Sequence, residues 1–171
     1  MQAARRGASA SLSAQPSDTP RAFHYFVGQS SSGVAVDVYQ EIVAAAWTSR
    51  RRVTSHAAAA FAGDVLGRMR AAAVGGLRGA DELEPVRRNP LLWEIKWKMG
   101  SARDHRLYHS EPGGGPDMVA LRFHLKDVSS GEAATIEAAQ EVEMDEAGWR
   151  YGDGVTNRWG HSKSCAHCLD P

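Results

Sequence analysis

Two segments of this chain alternate between apolar and polar residues over the length of a strand, and they constrain the fold more than any other feature. In residues 91–98, the apolar Trp93, Ile95 and Trp97 alternate with charged residues, and residues 118–126 repeat the pattern. Side chains along a strand point to opposite faces with a period of two. Each segment therefore predicts a strand with one apolar face and one charged face.

The charged side of both predicted strands is rich in cations, and a third segment between them extends the pattern. If residues 103–110 turn their apolar residue inward, Arg106 and Tyr108 join the cationic side. His105 and His109 then lie on the opposite side, where we expect structural roles. A sheet face with Lys, Arg, His and Tyr suits phosphodiester binding and proton transfer. The alternative is an ordinary solvated face of mixed charge.

The charge of the chain is unevenly distributed along the sequence. The 20 Lys+Arg and 20 Asp+Glu residues balance, which argues against a general affinity for polyanions. Residues 86–126, however, contain eight basic and four acidic residues, a net charge of +4. Residues 127–153 contain one basic and eight acidic residues, a net charge of −7. A basic sheet followed by an acidic helix indicates a local site for an anionic ligand.

The remaining segments predict one domain with a leader and a tail. Residues 1–21 are rich in Ala, Ser, Gln and Pro and predict a disordered leader, followed by a folded domain at residues 22–152. Thr54 or Ser55 can cap a predicted helix that ends near Val74, and residues 34–47 fit either strand or helix. A capping box, Ser129 with Glu132, opens a closing helix to about Ala147. No apolar run is long enough to span a membrane.

The polar tail, residues 153–171, contains both cysteines of the chain in a single C-x-x-C motif. Zinc is one interpretation, with His161, Cys165 and Cys168 as ligands and a fourth from elsewhere. A redox pair and an incidental tail are the alternatives. Because the tail lacks apolar periodicity, we expect that removing residues 153–171 leaves the fold largely intact, unless Trp149 and Trp159 pack back on the core.

Four motifs in this order resemble a known family. They are LWEIKW at 92–97, RLY at 106–108, VALRFHLK at 119–126 and AGWRY at 147–151. The chain resembles the RelE/ParE toxin superfamily, especially the HigB-like, phage-derived branch of type II toxin–antitoxin systems. The resemblance implies an α+β fold with N-terminal helices, a small antiparallel sheet with a cationic face, and a closing C-terminal helix.

The resemblance also implies a cytoplasmic mRNA interferase that uses no metal or cofactor. The ribose 2′-OH would attack its own 3′-phosphate, and the protein would supply a base, an acid and cations for the developing charge. The partners implied are a cognate antitoxin and mRNA, which many members of the family cut only on the ribosome, with no membrane. The catalytic residues implied are Lys96, Lys98, Arg106, Arg122, His124 and Lys126. Tyr108 and Arg103 are the implied substrate-binding residues.

Two other functions fit the same sequence. One is a non-catalytic module that binds nucleic acid or protein through the same sheet, and the other is a small regulator that works through the metal- or thiol-binding tail.

The toxin hypothesis predicts that expression arrests bacterial growth. It also predicts that Arg106→Ala with Lys126→Ala relieves the arrest without unfolding the protein.

Overall fold

The computed structural model of the chain describes residues 10–48, 54–98, 103–112, 118–128, 131–161 and 168–169. Within these residues the fold is α+β, with three helices, a five-stranded mixed sheet and a small two-stranded sheet. The helices are α1 (Val38–Thr48), α2 (Ser55–Ala73) and α3 (Ala133–Gly154). The strands are β1 (Phe23–Tyr25), β2 (Val27–Gln29), β3 (Ala35–Asp37), β4 (Leu83–Pro85), β5 (Leu92–Lys98), β6 (Arg103–Ser110) and β7 (Met118–Asp127).

The main sheet has the strand order β1-β7-β6-β5-β4. Strands β5, β6 and β7 form the predicted antiparallel meander, within one residue of the predicted bounds. The sheet extends beyond the predicted meander at both edges. Strand β4 pairs antiparallel with β5, and β1 pairs parallel with β7, so the sheet is mixed rather than antiparallel. The aromatic and β-branched residues 21–28 indicate a possible first strand, and β1 lies within them, whereas β4 has only three residues and is too short for alternation to mark it clearly.

The strand register confirms that Lys96, Lys98, Arg106 and Arg122 belong to one face of the sheet. Three rows of paired residues cross β5, β6 and β7 on this face, namely Glu94–Tyr108–Arg122, Lys96–Arg106–His124 and Lys98–Asp104–Lys126. We call these nine residues the charged face. The opposite face carries the rows Ile95–Leu107–Phe123 and Trp97–His105–Leu125. As predicted, His105 and His109 lie on that opposite face and are buried.

Helix α2 covers the apolar face of the sheet. The Phe61 ring lies 4.9 Å from the ring of His105 and 6.2 Å from that of Phe123, measured between centroids. The helix begins as predicted, because the Thr54 side chain accepts a hydrogen bond from the Ala57 N–H. Its C-cap is Val74, where the predicted helix ends.

Helix α3 lies against the charged face. The Gln140 side chain donates to Glu94 Oε1 at 3.3 Å, and Glu143 pairs with Arg122. The helix ends at Gly154, seven residues beyond the predicted end at Ala147. Glu132 is its N-cap and makes no side-chain capping bond, while Ser129 lies outside the described residues. The charged face is therefore an interface with a helix, and four of its residues, Glu94, Arg106, Tyr108 and His124, are buried.

The segment predicted to be a disordered leader is partly structured. Residues Leu12–Ala14 form a 3-10 turn, and the Ser11 and Ser13 side chains are buried. The Glu111 carboxylate accepts from the Leu12 N–H at 2.8 Å and anchors this turn to the end of β6. Burial opposes ionisation of Glu111, but bonds from His109, Ser11 and Leu12 lower its pKa to about 2. The folded region thus begins before residue 22, and residues 1–9 lie outside the described part.

The described tail residues also contact the fold. After α3 comes a 3-10 segment, Val155–Gly160, in which Trp159 packs on Tyr151 with ring centroids 5.7 Å apart. Leu169 forms an antiparallel bridge with Phe23 of β1. Trp159 thus packs back on the fold, which is the condition under which removal of residues 153–171 was expected to affect it. The effect of that removal stays a prediction. None of the helices in the described part of the chain is both long and apolar enough to cross a membrane.

Candidate functional site

A cleft of about 410 Å³ lies between α3, β4 and the part of the charged face that carries Lys96, Arg106 and Lys126. Its charged lining residues are Arg87, Arg88, Lys96, Arg106, Lys126, Glu84, Glu94, Glu137 and Glu141. Its apolar lining residues are Pro85, Val86, Val128, Ala133, Ile136 and Met144. The cleft contains three of the six predicted catalytic residues, and its charge is mixed rather than cationic.

Arg106 is held in a buried ion-pair cluster. Its Nε lies 2.6 Å from Glu94 Oε1, although the N–H is not aligned for a hydrogen bond, and its Nη2 donates to Asp104 Oδ2 at 3.0 Å. Arg106 and Glu94 are each 5% exposed. Burial raises the pKa of Glu94, and the positive charges of Arg106 and Lys96 oppose that rise. Burying either charge without the other would be unfavourable, so the pair has a structural role.

Arg122 connects three elements of the fold. Its guanidinium on β7 pairs with Glu41 of α1 and Glu143 of α3. Burial opposes its charge, but these two carboxylates raise the pKa of Arg122 further above its ordinary range. Glu41 also accepts from the Phe123 N–H at 2.9 Å and from Arg150 at 2.8 Å. Arg122 is consequently committed to an internal network.

The two predicted catalytic lysines of β5 also have acidic partners. Lys96 Nζ lies 2.6 Å from Glu84 Oε2 and also donates to the Ala80 carbonyl at 3.0 Å. Lys98 Nζ pairs with Asp81 Oδ1 at 3.1 Å. This second pair is exposed, and Lys98 lines a separate depression away from the cleft. Lys98 thus shares the charged face with Lys96 and Lys126 but does not line the cleft.

His124 and Tyr108 stack on one another, with ring centroids 5.2 Å apart and planes 28° apart. Burial lowers the pKa of His124 to about 4, so its imidazole is neutral near pH 7. Burial also raises the pKa of Tyr108 above its ordinary range, and the nearby charge of Glu94 adds to the effect. A general acid or base for neutral pH needs a pKa near 7 and access to the substrate, and His124 has neither in this arrangement.

Lys126 and Arg87 differ from the other cations of the cleft. Among the residues that the structure describes, no carboxylate lies within ion-pairing distance of either side chain, whereas Arg88 pairs with Glu141 at 2.7 Å. Arg87 is exposed and Lys126 is half-buried. The side chain of Arg103, the other predicted substrate-binding residue, lies outside the described part. Lys126 and Arg87 are therefore available to a ligand in the cleft.

Sequence reasoning missed the acidic partners. Glu41 and Glu143 lie on helices far from the strands in sequence, and only the tertiary fold brings them to Arg122. Glu94 could have been recognised, because it alternates with Lys96 on one strand and so shares its face. The buried Arg150 also went unrecognised as a structural cation, because charge counting does not reveal burial.

A second cluster of functional residue types lies at the end of β6. Ser13 Oγ lies 3.1 Å from His109 Nε2, and Glu111 Oε1 lies 3.3 Å from that same nitrogen. A catalytic triad needs the serine and the acid on different ring nitrogens. Because Ser13 and Glu111 both contact Nε2 and the cluster is buried, the cluster anchors the N-terminal turn and does not activate Ser13 as a nucleophile.

Of the predicted zinc ligands, His161 and Cys168 lie close together and Cys165 falls outside the described residues. His24, which the sequence did not single out, joins them, so that the three ligand atoms lie within 4.8 Å of one another.

Comparison with models of known protein families, with curated proteins and with solved structures finds no match. The resemblance to the RelE/ParE superfamily thus stays a prediction from sequence motifs. Function has to be inferred from the cleft and its charges.

Proposed function

We propose that this chain is a non-catalytic interaction module that binds an acidic, partly apolar peptide segment of a protein partner in the cleft between α3 and the charged face. The observation that carries this proposal is the contrast between the cations of the cleft. Arg87 and Lys126 form no ion pair among the described residues, while Arg88, Lys96 and Arg106 are paired internally. An acidic ligand would complement the two unpaired charges.

The engagement of the predicted catalytic groups favours binding over cleavage. RNA cleavage requires cations free to stabilise a phosphorane, together with an acid and a base that reach the ribose and the leaving oxygen. Arg106 and Arg122 instead neutralise buried carboxylates, and His124 is buried with a lowered pKa. These groups stabilise the sheet and its contact with α3.

The lining of the cleft favours a peptide over a nucleic acid. A nucleic acid carries a charge at every phosphate and would meet Glu137 and Glu141 of α3, whereas a peptide can place single carboxylates beside Arg87 and Lys126 alone. Among the described residues that line the cleft, none has an aromatic side chain on which a base could stack. Apolar residues such as Ile136 and Met144 lie among the charges. This mixture is typical of protein interfaces, in which an apolar centre is surrounded by polar groups.

Selection from a displayed peptide library tests this proposal. We expect the wild-type protein to enrich peptides that combine acidic and apolar residues. We expect the charge reversals Arg87→Glu and Lys126→Glu, combined in one variant, to weaken their binding by about tenfold or more, equivalent to about 1.4 kcal/mol. The matched control is Lys98→Glu, because Lys98 belongs to the same face but not to the cleft.

Two results would contradict the proposal. One is a set of selected peptides that bind the double variant as tightly as the wild type. The other is equal weakening by Lys98→Glu, which would attribute the effect to overall charge rather than to the cleft.

A metal-independent ribonuclease toxin is the second candidate, and one observation favours it. Lys96, Arg106 and His124 are paired residues in neighbouring strands, so a cation pair and an imidazole share one row of the sheet. This candidate requires α3 to leave the charged face. Growth arrest on expression, relieved by Lys126→Ala in a protein that stays folded, would favour it over the peptide-binding proposal.

A further inference from the structure

Three metal-binding side chains from distant parts of the sequence meet beside β1. They are His24 of β1, His161 after the closing helix and Cys168 of the tail, and their ligand atoms lie within 4.8 Å of one another. We propose that these three residues form a zinc-binding site that fastens the tail to the outer edge of the sheet. The site is separate from the cleft and does not depend on the proposed function.

Backbone pairing sets Cys168 beside His24. Phe23 and Leu169 exchange two backbone hydrogen bonds, of 2.8 and 3.1 Å, on the outer edge of β1. In an antiparallel pair, the residues next to such a hydrogen-bonded pair face one another more closely and on the same side. His24 and Cys168 occupy those positions, and His24 Nδ1 lies 3.4 Å from Cys168 Sγ.

A reversal of the chain brings His161 to the same place. Arg158, Trp159 and Gly160 adopt left-handed backbone conformations, with φ of 54°, 57° and 88°. Such conformations are unfavourable for residues other than glycine and require support from the surrounding structure. The Trp159 Nε1–H donates to the Tyr151 carbonyl at 3.2 Å, and a Cβ at Gly160 would lie 2.2 Å from the Val27 carbonyl oxygen. These contacts place His161 beside β1.

The hydrogen bonds of His161 prepare one nitrogen for a metal. Its Nε2 bonds the backbone carbonyl of Tyr25, so the proton lies on Nε2 and the lone pair on Nδ1. Imidazole ligands of metals commonly donate their other ring N–H to a carbonyl or carboxylate, which fixes the tautomer and the ring orientation. His161 is 6% exposed, so this orientation is also fixed by packing.

The distances suit a tetrahedral ion. With Zn–S of about 2.3 Å and Zn–N of about 2.0–2.1 Å, a sulfur and a nitrogen ligand lie about 3.5 Å apart. The separation of 3.4 Å between His24 Nδ1 and Cys168 Sγ fits this value, while Cys168 Sγ lies 4.0 Å from each of the two ring nitrogens of His161. A three-ligand set requires the distance from Sγ to His161 Nδ1 to close by about 0.5 Å, with all three ligand atoms already within 4.8 Å of one another.

The donor set selects the class of metal. A thiolate with two imidazoles suits zinc, whereas Mg²⁺ and Ca²⁺ prefer oxygen ligands. Three protein ligands leave a fourth tetrahedral position for water or a further donor. The alternative without a metal is a packed histidine pair, since the His24 and His161 rings stack with centroids 5.3 Å apart. The two alternatives predict different responses to zinc.

Metal binding to the purified full-length chain tests the site. After chelation and dialysis, we expect the protein to take up one Zn²⁺ per chain in competition with a chromophoric chelator. Co²⁺ in its place should give the visible bands of a tetrahedral ion and a thiolate-to-cobalt charge-transfer band. Saturating zinc, at about 100 times Kd, should raise Tm by about 5–10 °C.

Single substitutions identify the ligands. We expect His24→Ala and Cys168→Ser each to weaken zinc affinity by at least about tenfold, and Cys168→Ser to abolish the charge-transfer band. His56→Ala is the control, because His56 is exposed on α2, far in sequence from the three ligands. Circular dichroism of the metal-free variants confirms that each remains folded, and a variant that fails to fold is replaced by His24→Asn or Cys168→Ala.

Two outcomes would overturn the assignment. The first is no zinc uptake, or no rise in Tm, in a folded wild-type protein. The second is zinc binding that survives His24→Ala but is lost in Cys165→Ser, which would assign the metal to the C-x-x-C motif without β1.

Discussion

Replacing Arg150 with methionine is expected to destabilise the protein by about 3–5 kcal/mol, because the change removes one partner from a buried ionic network. Arg150 is 1% exposed. It donates to Glu41 at 2.8 Å, to Glu146 at 2.7 Å and to the Leu121 carbonyl at 2.9 Å. The substitution would leave the buried Leu121 carbonyl without this hydrogen-bond donor. It would also remove the positive charge that offsets the negative charges of Glu41 and Glu146.

Thermal and urea unfolding measure this effect. For a chain of this size, the expected loss corresponds to a decrease in Tm of roughly 6–20 °C. Arg70→Met is the matched control, because Arg70 is an exposed arginine on α2, and it should change stability by less than about 0.5 kcal/mol. Equal Tm values for Arg150→Met and the wild type would show that the network does not hold α1, α3 and β7 together.

Arg106→Met is expected to cost about 3–5 kcal/mol as well, because it leaves the Glu94 carboxylate buried without its nearest cation. The paired atoms lie 2.6 Å apart, and both side chains are 6% exposed. The double variant Glu94→Gln/Arg106→Met removes both charges and should recover much of the loss, since replacing a whole buried pair is often nearly neutral. A double-mutant cycle should therefore give a coupling energy of about 0.5–3 kcal/mol.

Lys98→Met is the control for this cycle. Lys98 lies on the same sheet face, but its pair with Asp81 is exposed, and exposed pairs contribute little to stability. We expect a change of less than about 1 kcal/mol. If Arg106→Met and Lys98→Met unfolded at the same denaturant concentration, the buried pair would not have the structural role described above.

The outcome of this cycle bears on the toxin hypothesis. If Arg106→Ala unfolds the protein, relief of growth arrest by that variant would report loss of the fold rather than loss of catalysis. Lys126 is the better probe of activity, because no ion pair within the described residues depends on it.

The sequence predicted the central sheet well, while the catalytic roles that it suggested for the charged residues stay predictions. Strict alternation in residues 91–98 and 118–126 predicted both the strands and the face that Lys96 and Arg122 share, because side-chain direction in a strand is a local property. The helix capped by Thr54 was predicted for the same reason, since a cap is a local hydrogen bond.

The role of the charged face was not predictable from the same pattern. Whether an arginine binds substrate or neutralises a carboxylate depends on what packs against it. Glu41 precedes Arg122 by 81 positions in sequence. His124 is buried because α3 packs beside it, and the alternation of residues along a strand gives no information about where a helix packs. The His24 contribution to the tail cluster likewise depends on the bridge between Phe23 and Leu169.

Burial of His124 also has a consequence for stability. The pKa of His124 is about 4 in the folded protein and 6.5 without burial. Between these two values the unfolded chain binds a proton that the folded protein does not. His124 therefore contributes its full stabilisation above about pH 6.5, and that contribution is lost as the pH falls towards 4.

Titration of the His124 ring by NMR is the most direct test of the central claim, which is that the part of the charged face around His124 is a buried structural interface and not an exposed catalytic surface. The spectrum of His124→Gln assigns the resonance. We predict a midpoint near pH 4 in the folded protein. A midpoint near pH 6.5 or above would mean that His124 is exposed and able to act as a general acid or base, and would contradict this account.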